Sequence, residues 1–254
     1  MKVTFLGTGT SMGVPVAGAF KREDLAHDPR NERTRCSAWV QTKGRSILID
    51  ASPEFRIQSI KLRLQKIDNL LITHQHMDHI SGIDDLRVYS YINKAPIPTH
   101  ASKECIESIK TRFHYMFGED RYSGSTSLDL MEADQPFSIG DVNVTPLHVT
   151  HGNLDILGYR LNDFSYLTDV KHIPESTMEK IKGSKVLVIS ALRWDPSHPT
   201  HLTIPEAVEI IETLEIPEAY LIHMNSFVDH EPTNKKLPSH INLAYDLQTI
   251  RIPD

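Results

Sequence analysis

Short apolar runs recur along the chain, separated by polar stretches that carry glycine and proline. Val3 to Leu6, Ser37 to Gln41, Ser46 to Asp50 and Leu70-Leu71-Ile72 have the length and β-branched content of strands. Val142 to Leu147 reads as a strand ending at His148, and Phe164 to Thr168 as one ending at Asp169. Val186 to Ser190 is a fully buried strand, and Tyr220-Leu221-Ile222 is a strand ending at His223. Helical spacing appears between them. Pro53 to Leu64 offers Phe55, Ile60 and Leu64 for burial. Ile83, Leu86 and Tyr89 fit a helix starting near His79, Ile106 and Ile109 fit another, and Pro174 to Ile181 a third. Thr203-Ile204-Pro205-Glu206 opens a well-marked helix: Thr203 caps it, Glu206 stands at the capping-box position, and Ile204, Ala207, Val208, Ile211 and Leu214 form its apolar stripe. Gly13 to Arg35 reads as a long surface loop, a type that is often functional. Strands interleaved with helices predict an α/β fold, and no linker, repeat or low-complexity tract divides residues 1–254, so one domain is expected.

The strand ends carry the chemistry. Thr73-His74-Gln75-His76-Met77-Asp78-His79 sets three histidines and an aspartate directly after an apolar run. In extended chain, residues two apart project to one side, so His74, His76 and Asp78 share a face and His79 turns in beside them. One catalytic zinc typically takes three protein ligands and a water, so four such groups suit two divalent cations better than one. His148, Asp169 and His223 follow at the ends of three further strands, where open α/β sheets place ligand sites.

This order, T-H-x-H-x-D-H and then a lone His, an Asp and a late His, resembles the metallo-β-lactamase-fold hydrolases. Phe5-Leu6-Gly7-Thr8-Gly9-Thr10-Ser11, Asp50-Ala51-Ser52-Pro53, Leu167-Thr168-Asp169-Val170 and His198-Pro199-Thr200-His201 are similar to the branch that contains PhnP-type cyclic phosphodiesterases. The resemblance implies a four-layer αββα sandwich of two mixed sheets flanked by helices. It also implies that His74, His76 and His148 bind one metal, that Asp78, His79 and His223 bind the other, and that Asp169 bridges them. The metals would be zinc or manganese, with iron also suited to an imidazole and carboxylate set without thiolate. Such a pair clamps a phosphodiester and lowers the pKa of a bound water to about 7. Asp78 and Asp169 are thereby catalytic as well as ligating. Asp50 resembles a buried aspartate that holds a ligand histidine or the ligand-bearing turn. His201 is the candidate general acid, with His198 the runner-up. His151, just past His148, is read with His27, His100, His114, His172, His230 and His240 as a surface or packing residue. Gly7 to Gly13 lacks the third glycine of a dinucleotide fingerprint and reads as a tight turn, although its N–H groups are placed to face a substrate phosphate. Two departures weaken the likeness to PhnP itself. Ala17-Gly18-Ala19-Phe20 has no cysteine for that branch's additional structural zinc, and Met224-Asn225 stands where related proteins continue with Ser-His.

The formal net charge of −6 and a pI near 6.1 give no footprint for nonspecific nucleic-acid binding, and Lys21-Arg22 and Lys235-Lys236 read as solvated surface. A tRNA 3′-processing nuclease is disfavoured by that charge and by the lack of an inserted tRNA-gripping arm. Thioester or lactone hydrolysis, and a non-enzymatic metal-binding protein, are the other readings. Cys36 and Cys105 form no C-x-x-C pair and read as reduced thiols. The apolar run at the N-terminus is too short for a signal peptide, and nothing approaches the ~20 apolar residues of a membrane span. The expectation is a cytoplasmic enzyme acting on a small phosphodiester, without membrane partners and with room for a homodimer. Arg112 to Phe117 is unusually aromatic: either a helix end packing its rings into the core or, with Tyr122 and Gly124, an aromatic wall beside the metals.

Overall fold

The computed structural model describes residues 1–18, 28–118 and 124–253. Phe20, Lys21-Arg22, His27 and Tyr122, with Ala19 of the cysteine-free stretch, lie outside the described residues. The first sheet contains β1 (Lys2–Gly7), β2 (Ser37–Thr42), β3 (Arg45–Ile49), β4 (Asn69–Leu71), β5 (Ile97–Ala101) and β6 (Leu128–Glu132) side by side in chain order. The second contains β7 (Phe137–Ile139), β8 (Val142–His151), β9 (Leu154–Leu161), β10 (Phe164–Leu167), β11 (Val186–Ser190), β12 (Glu218–Ile222) and β13 (Ile241–Leu243), likewise in order. β14 (Thr249–Arg251) returns to the first sheet beside β1. Each sheet is mixed: hairpin-linked antiparallel strands give way to parallel strands at β3 and β10.

The central strands β3, β4, β11 and β12 are largely apolar because they face two cores. In β11, Val186 and Val188 enter the core between the sheets, whereas Leu187 and Ile189 enter the core beneath the outer helices. Ile47 and Ile49 face the inter-sheet core, and Leu48 faces the core of the other helical layer. A strand covered on both faces gains nothing from polar alternation, which explains the unbroken runs. The first helical layer holds α1 (Phe55–Lys61), α2 (Met77–Ile80), α3 (Arg87–Asn93) and α4 (Lys103–Arg112). The second layer holds α5 (Glu175–Ile181) and α6 (Ile204–Thr213), and α7 (His230–Asn234) packs beside β13. This is the expected sandwich of two mixed sheets flanked by helices.

The capping box forms as expected: the Thr203 hydroxyl accepts from the Glu206 N–H, and the Glu206 carboxylate accepts from the Thr203 N–H. Phe113 and Met116 are buried under the first layer, so the aromatic segment packs its helix end, leaving His114 and Tyr115 outward. Two expectations need correction. α1 is shorter than Pro53 to Leu64, because Arg63 turns to φ +51, and Ile60 is exposed instead of buried. The helix beyond His79 is broken: a 3-10 segment, Ser81–Leu86, separates α2 from α3. There Gly82 comes so close to the Ser52 carbonyl that no Cβ would fit.

Candidate metal centre

The ligand-bearing turn grows from the end of β4. Thr73 donates its N–H to Asp50 Oδ1 and its hydroxyl to Asp50 Oδ2, both at 2.8 Å. His74 follows, buried, with its Nδ1 3.0 Å from the Thr73 hydroxyl. His76 caps α2, which carries Asp78 and His79 in a single turn. The rings of His74 and His76 lie 4.6 Å apart, and those of His74 and His79 lie 4.2 Å apart. Alternation in extended chain thus brings His74 and His76 together, and the short helix returns His79 to them.

Three other strands end on residues with left-handed backbone: Asp50 after β3 (φ +59), Asp169 after β10 (φ +55) and His223 after β12 (φ +63). Non-glycine residues rarely adopt this region, and such strain is held where surrounding structure fixes a functional group. Asp169 sits at the middle. Its Oδ1 is 3.0 Å from His223 Nε2 and 3.8 Å from His201 Nδ1. Its Oδ2 is 3.1 Å from His79 Nε2 and accepts a 2.7 Å bond from the Thr168 hydroxyl. His79 Nε2 also lies 3.2 Å from Asp78 Oδ2.

These contacts are close, yet Nε2 of His79 and of His223 and Nδ1 of His201 make no well-aligned hydrogen bond, although all are buried. Nitrogen and carboxylate lone pairs facing a shared space without hydrogen-bond geometry fit a cation between them. Among the described residues, three such groups share Asp169: His74 with His79, His151 with His201, and Asp78 with His223. In each, the ligating atoms lie within 4.8 Å of one another. An all-nitrogen and oxygen donor set of this size suits divalent zinc, manganese or iron.

The expected His148 is not part of the centre. It is exposed, with Nε2 3.3 Å from the Asp134 carbonyl, and its place is taken by His151. β8 does not stop at His148: Val149 continues the buried alternation, and the strand ends at His151 before a turn at Gly152, φ +62. Residues three apart on a strand face opposite sides, so the two histidines cannot exchange roles. The His151 ring lies 5.3 Å from His76 and 5.8 Å from His74, and its Nδ1 is 2.8 Å from the Thr200 carbonyl. The signal that would have found it is Gly152-Asn153, a hairpin-turn pair.

His201 enters from the loop before α6. Its ring stacks on His223 at 4.7 Å and lies 4.6 Å from His151. Burial and the neighbouring His223 pull it down to about 3. His198 is more peripheral: its ring is 5.0 Å from His201, and its Nδ1 faces the Thr200 hydroxyl at 3.1 Å. Burial alone would raise the Asp169 carboxyl, but the His223 and His79 rings hold it well below the carboxylate range. His79 is reciprocally raised, its burial outweighed by Asp169 and Asp50.

Most N–H groups of the turn after β1 are already bonded within the fold. Those of Thr8, Gly9, Thr10, Met12 and Gly13 bond to Asp246, Thr34, Met224 and the turn's own Thr10. The tight-turn reading holds. The pairing of Thr8 and Thr10 with Met224 fixes this turn against the end of β12, next to His223.

Strand ends from two facing mixed sheets, meeting at one His and Asp cluster, place the chain among metallo-β-lactamase-fold hydrolases. It belongs to the β-lactamase superfamily, whose domain model matches residues 45–224. A solved diphosphatase of the PhnP family is similar over 99% of this chain and 98% of its own, at 35% identity and a TM-score of 0.92. A Porphyromonas gingivalis protein named octanoyltransferase is 38% identical over 250 residues, which cover 97% of this chain. The chain spans only 50% of that relative's length. A ribonuclease Z of Pyrobaculum neutrophilum is 22% identical over 99% of this chain and 98% of its own. Both cysteines are buried and unpaired, and among the described residues no helix is long and apolar enough to cross a membrane.

Proposed function

We propose that the chain is a phosphodiesterase that uses two divalent metals to hydrolyse a small or cyclic phosphodiester. The observation that carries this reading is the position of Asp169, which is shared by all three groups of His and Asp side chains close enough to hold a cation among the described residues. His74, His76 and His151 would hold one cation, and Asp78, His79 and His223 the other, with Asp169 between them. When bound, such a pair supplies Lewis acidity at a phosphoryl oxygen and a nucleophilic water at neutral pH. Asp50 orients His79 and the Thr73 turn. His201, at the edge of the cluster, is positioned to protonate the leaving oxygen. An anionic phosphodiester beside the ring favours its protonated form. The likeness to a diphosphatase of the PhnP family supports a phosphoryl substrate.

The second reading is an acyl ester or thioester, supported by the name of the P. gingivalis relative. One screen separates the two. Protein loaded with Mn or Zn is offered a nitrophenyl phosphodiester, a ribose cyclic phosphate, an octanoyl thioester and a lactone. Turnover confined to the phosphodiesters is expected. Turnover confined to the acyl substrates would overturn the proposal.

A further inference from the structure

Away from the metal centre, the outside of the first helical layer carries two clefts that share Arg63 and Gln65. One, of about 1410 Å³, lies along α1 and α3. The other, of about 520 Å³, lies beside the β2–β3 turn. None of the His and Asp residues of the centre lines either cleft.

Their composition is unlike the rest of the chain. Among the described residues that line them, seven are lysine or arginine and three are aspartate, in a protein of formal net charge −6. Arg87 pairs with Asp84, and Lys66 pairs with Asp68. Arg56, Arg63, Lys94, Lys43 and Arg45 remain, all exposed, with Lys43 donating to the Asp141 carbonyl and Asp85 the remaining carboxylate among the described lining residues. The larger cleft is also apolar where water reaches it: Ile60 is 58% exposed, Val88 51%, Tyr91 82% and Ile92 56%. Nine large apolar side chains are exposed among the described residues, and four of them are these. Exposed apolar groups gathered in one place, rimmed by charge that is mostly positive, mark an interaction site.

The charge selects the occupant. A second copy of the same face would set two positive surfaces together, and like charges across an interface are repelled. A nucleic acid would satisfy the cations but leave Ile60, Val88 and Ile92 against phosphate and sugar. Strand-binding grooves carry aromatic platforms instead, and Tyr91 is the one well-exposed aromatic here. We propose that this face docks an acidic amphipathic helix of a partner protein. Its carboxylates meet Arg56, Arg63 and Lys94, and its aliphatic stripe covers Val88, Tyr91 and Ile92, the helix-in-groove mode of recognition.

The test uses the full chain and two labelled helical peptides, identical except that the polar face is glutamate in one and lysine in the other, both with a leucine stripe. Fluorescence anisotropy should show binding of the glutamate peptide alone. Raising NaCl from about 50 to about 300 mM should weaken it severalfold, as screening predicts. Arg63→Glu with Lys94→Glu, and separately Tyr91→Ser with Ile92→Ser, should each weaken it by about tenfold or more, the loss of a contact in an interface of this kind. Both variants should keep the wild-type melting curve and hydrolytic rate. Equal binding of the two peptides, or binding untouched by either variant, overturns the proposal. A wild-type dimer in sedimentation that Tyr91→Ser with Ile92→Ser dissociates would assign the face to a second copy. Single-stranded RNA bound by the wild type and released by the charge reversal would assign it to nucleic acid. Either result also overturns the proposal.

Discussion

Nδ1 of His79 lies 2.7 Å from Oδ2 of Asp50, and neither side chain is accessible to solvent. That bond fixes the ring so that Nε2 points at Asp78 and Asp169. Asp50 also accepts both Thr73 bonds, so one carboxylate sets the strand end that delivers His74 and the helix turn that delivers His79. Removing such a partner of a ligating histidine typically costs 10–100-fold in metal affinity.

Asp50→Ala is therefore expected to weaken metal binding by about 10–100-fold, read by competition with a chromophoric chelator. The loss should exceed that of Asp134→Ala, whose side chain lies outside the cluster although its carbonyl faces His148. Wild-type affinity in Asp50→Ala would show that the turn is held by something else.

His151→Ala and His148→Ala give a sharper contrast, because the two residues are three apart and face opposite sides of β8. His151→Ala should lower metal content at saturation and reduce activity by at least about tenfold, as loss of a ligand does. His148→Ala should change neither. The reverse pattern would restore His148 to the centre.

Why one candidate ligand differs between sequence and structure while the others agree follows from how each signal is written. His74, His76, Asp78 and His79 lie within six positions of one another, so the period of a strand and one turn of helix suffice to converge them. Asp169 and His223 directly follow apolar runs that end abruptly. At β8 the run Val142 to Leu147 continues through His148 and Val149, and only Gly152 marks the true end. The strand thus runs three residues past His148, and residues an odd number apart on a strand face opposite sides, so the position of the end decides which histidine reaches the centre. Ile60 was misjudged for a related reason. Helical spacing shows that an apolar position exists but not whether another layer covers it, and α1 is covered only on the side of Phe55. The cleft along α1 and α3 was invisible in sequence because its cations come from separate elements.

Asp246 ties the β1 turn to the segment that leads into β2. Its Oδ1 accepts from the N–H and hydroxyl of Thr8, and its Oδ2 from those of Thr34. Burial pushes this carboxyl up to about 6 despite those donors. The ionised form is thus less favourable in the folded chain than in the unfolded one, where the pKa is about 3.9. Its contribution to stability is fully present below about 3.9 and lost as pH rises through about 6. Asp246→Asn removes this linkage. Relative to that variant, the wild type should gain stability as pH falls from about 7 to about 4, by at most about 3 kcal/mol for a shift of this size. Denaturant titrations of both proteins across that window measure the difference and cancel the groups they share. Parallel curves would place the Asp246 titration elsewhere.

His201→Ala separates acid catalysis from metal binding. His201 stacks on His223 and lies 3.8 Å from Asp169, so the residue is close enough to act as an acid or to assist a metal. The two roles respond differently to the leaving group. A ribose or alkyl oxygen departs poorly unless protonated, and a positioned acid contributes about 10²–10⁴-fold there. A nitrophenolate departs without a proton, so the acid is nearly dispensable. With metal content verified as wild-type, His201→Ala should retain much of its rate on a nitrophenyl diester. On a ribose cyclic diester it should lose about 10²-fold or more. A lost ligand would instead lower metal content and depress both substrates together. Equal losses with metals intact would make His201 a phosphate-binding or structural residue, and His198, whose ring lies 5.0 Å away, becomes the next acid to replace.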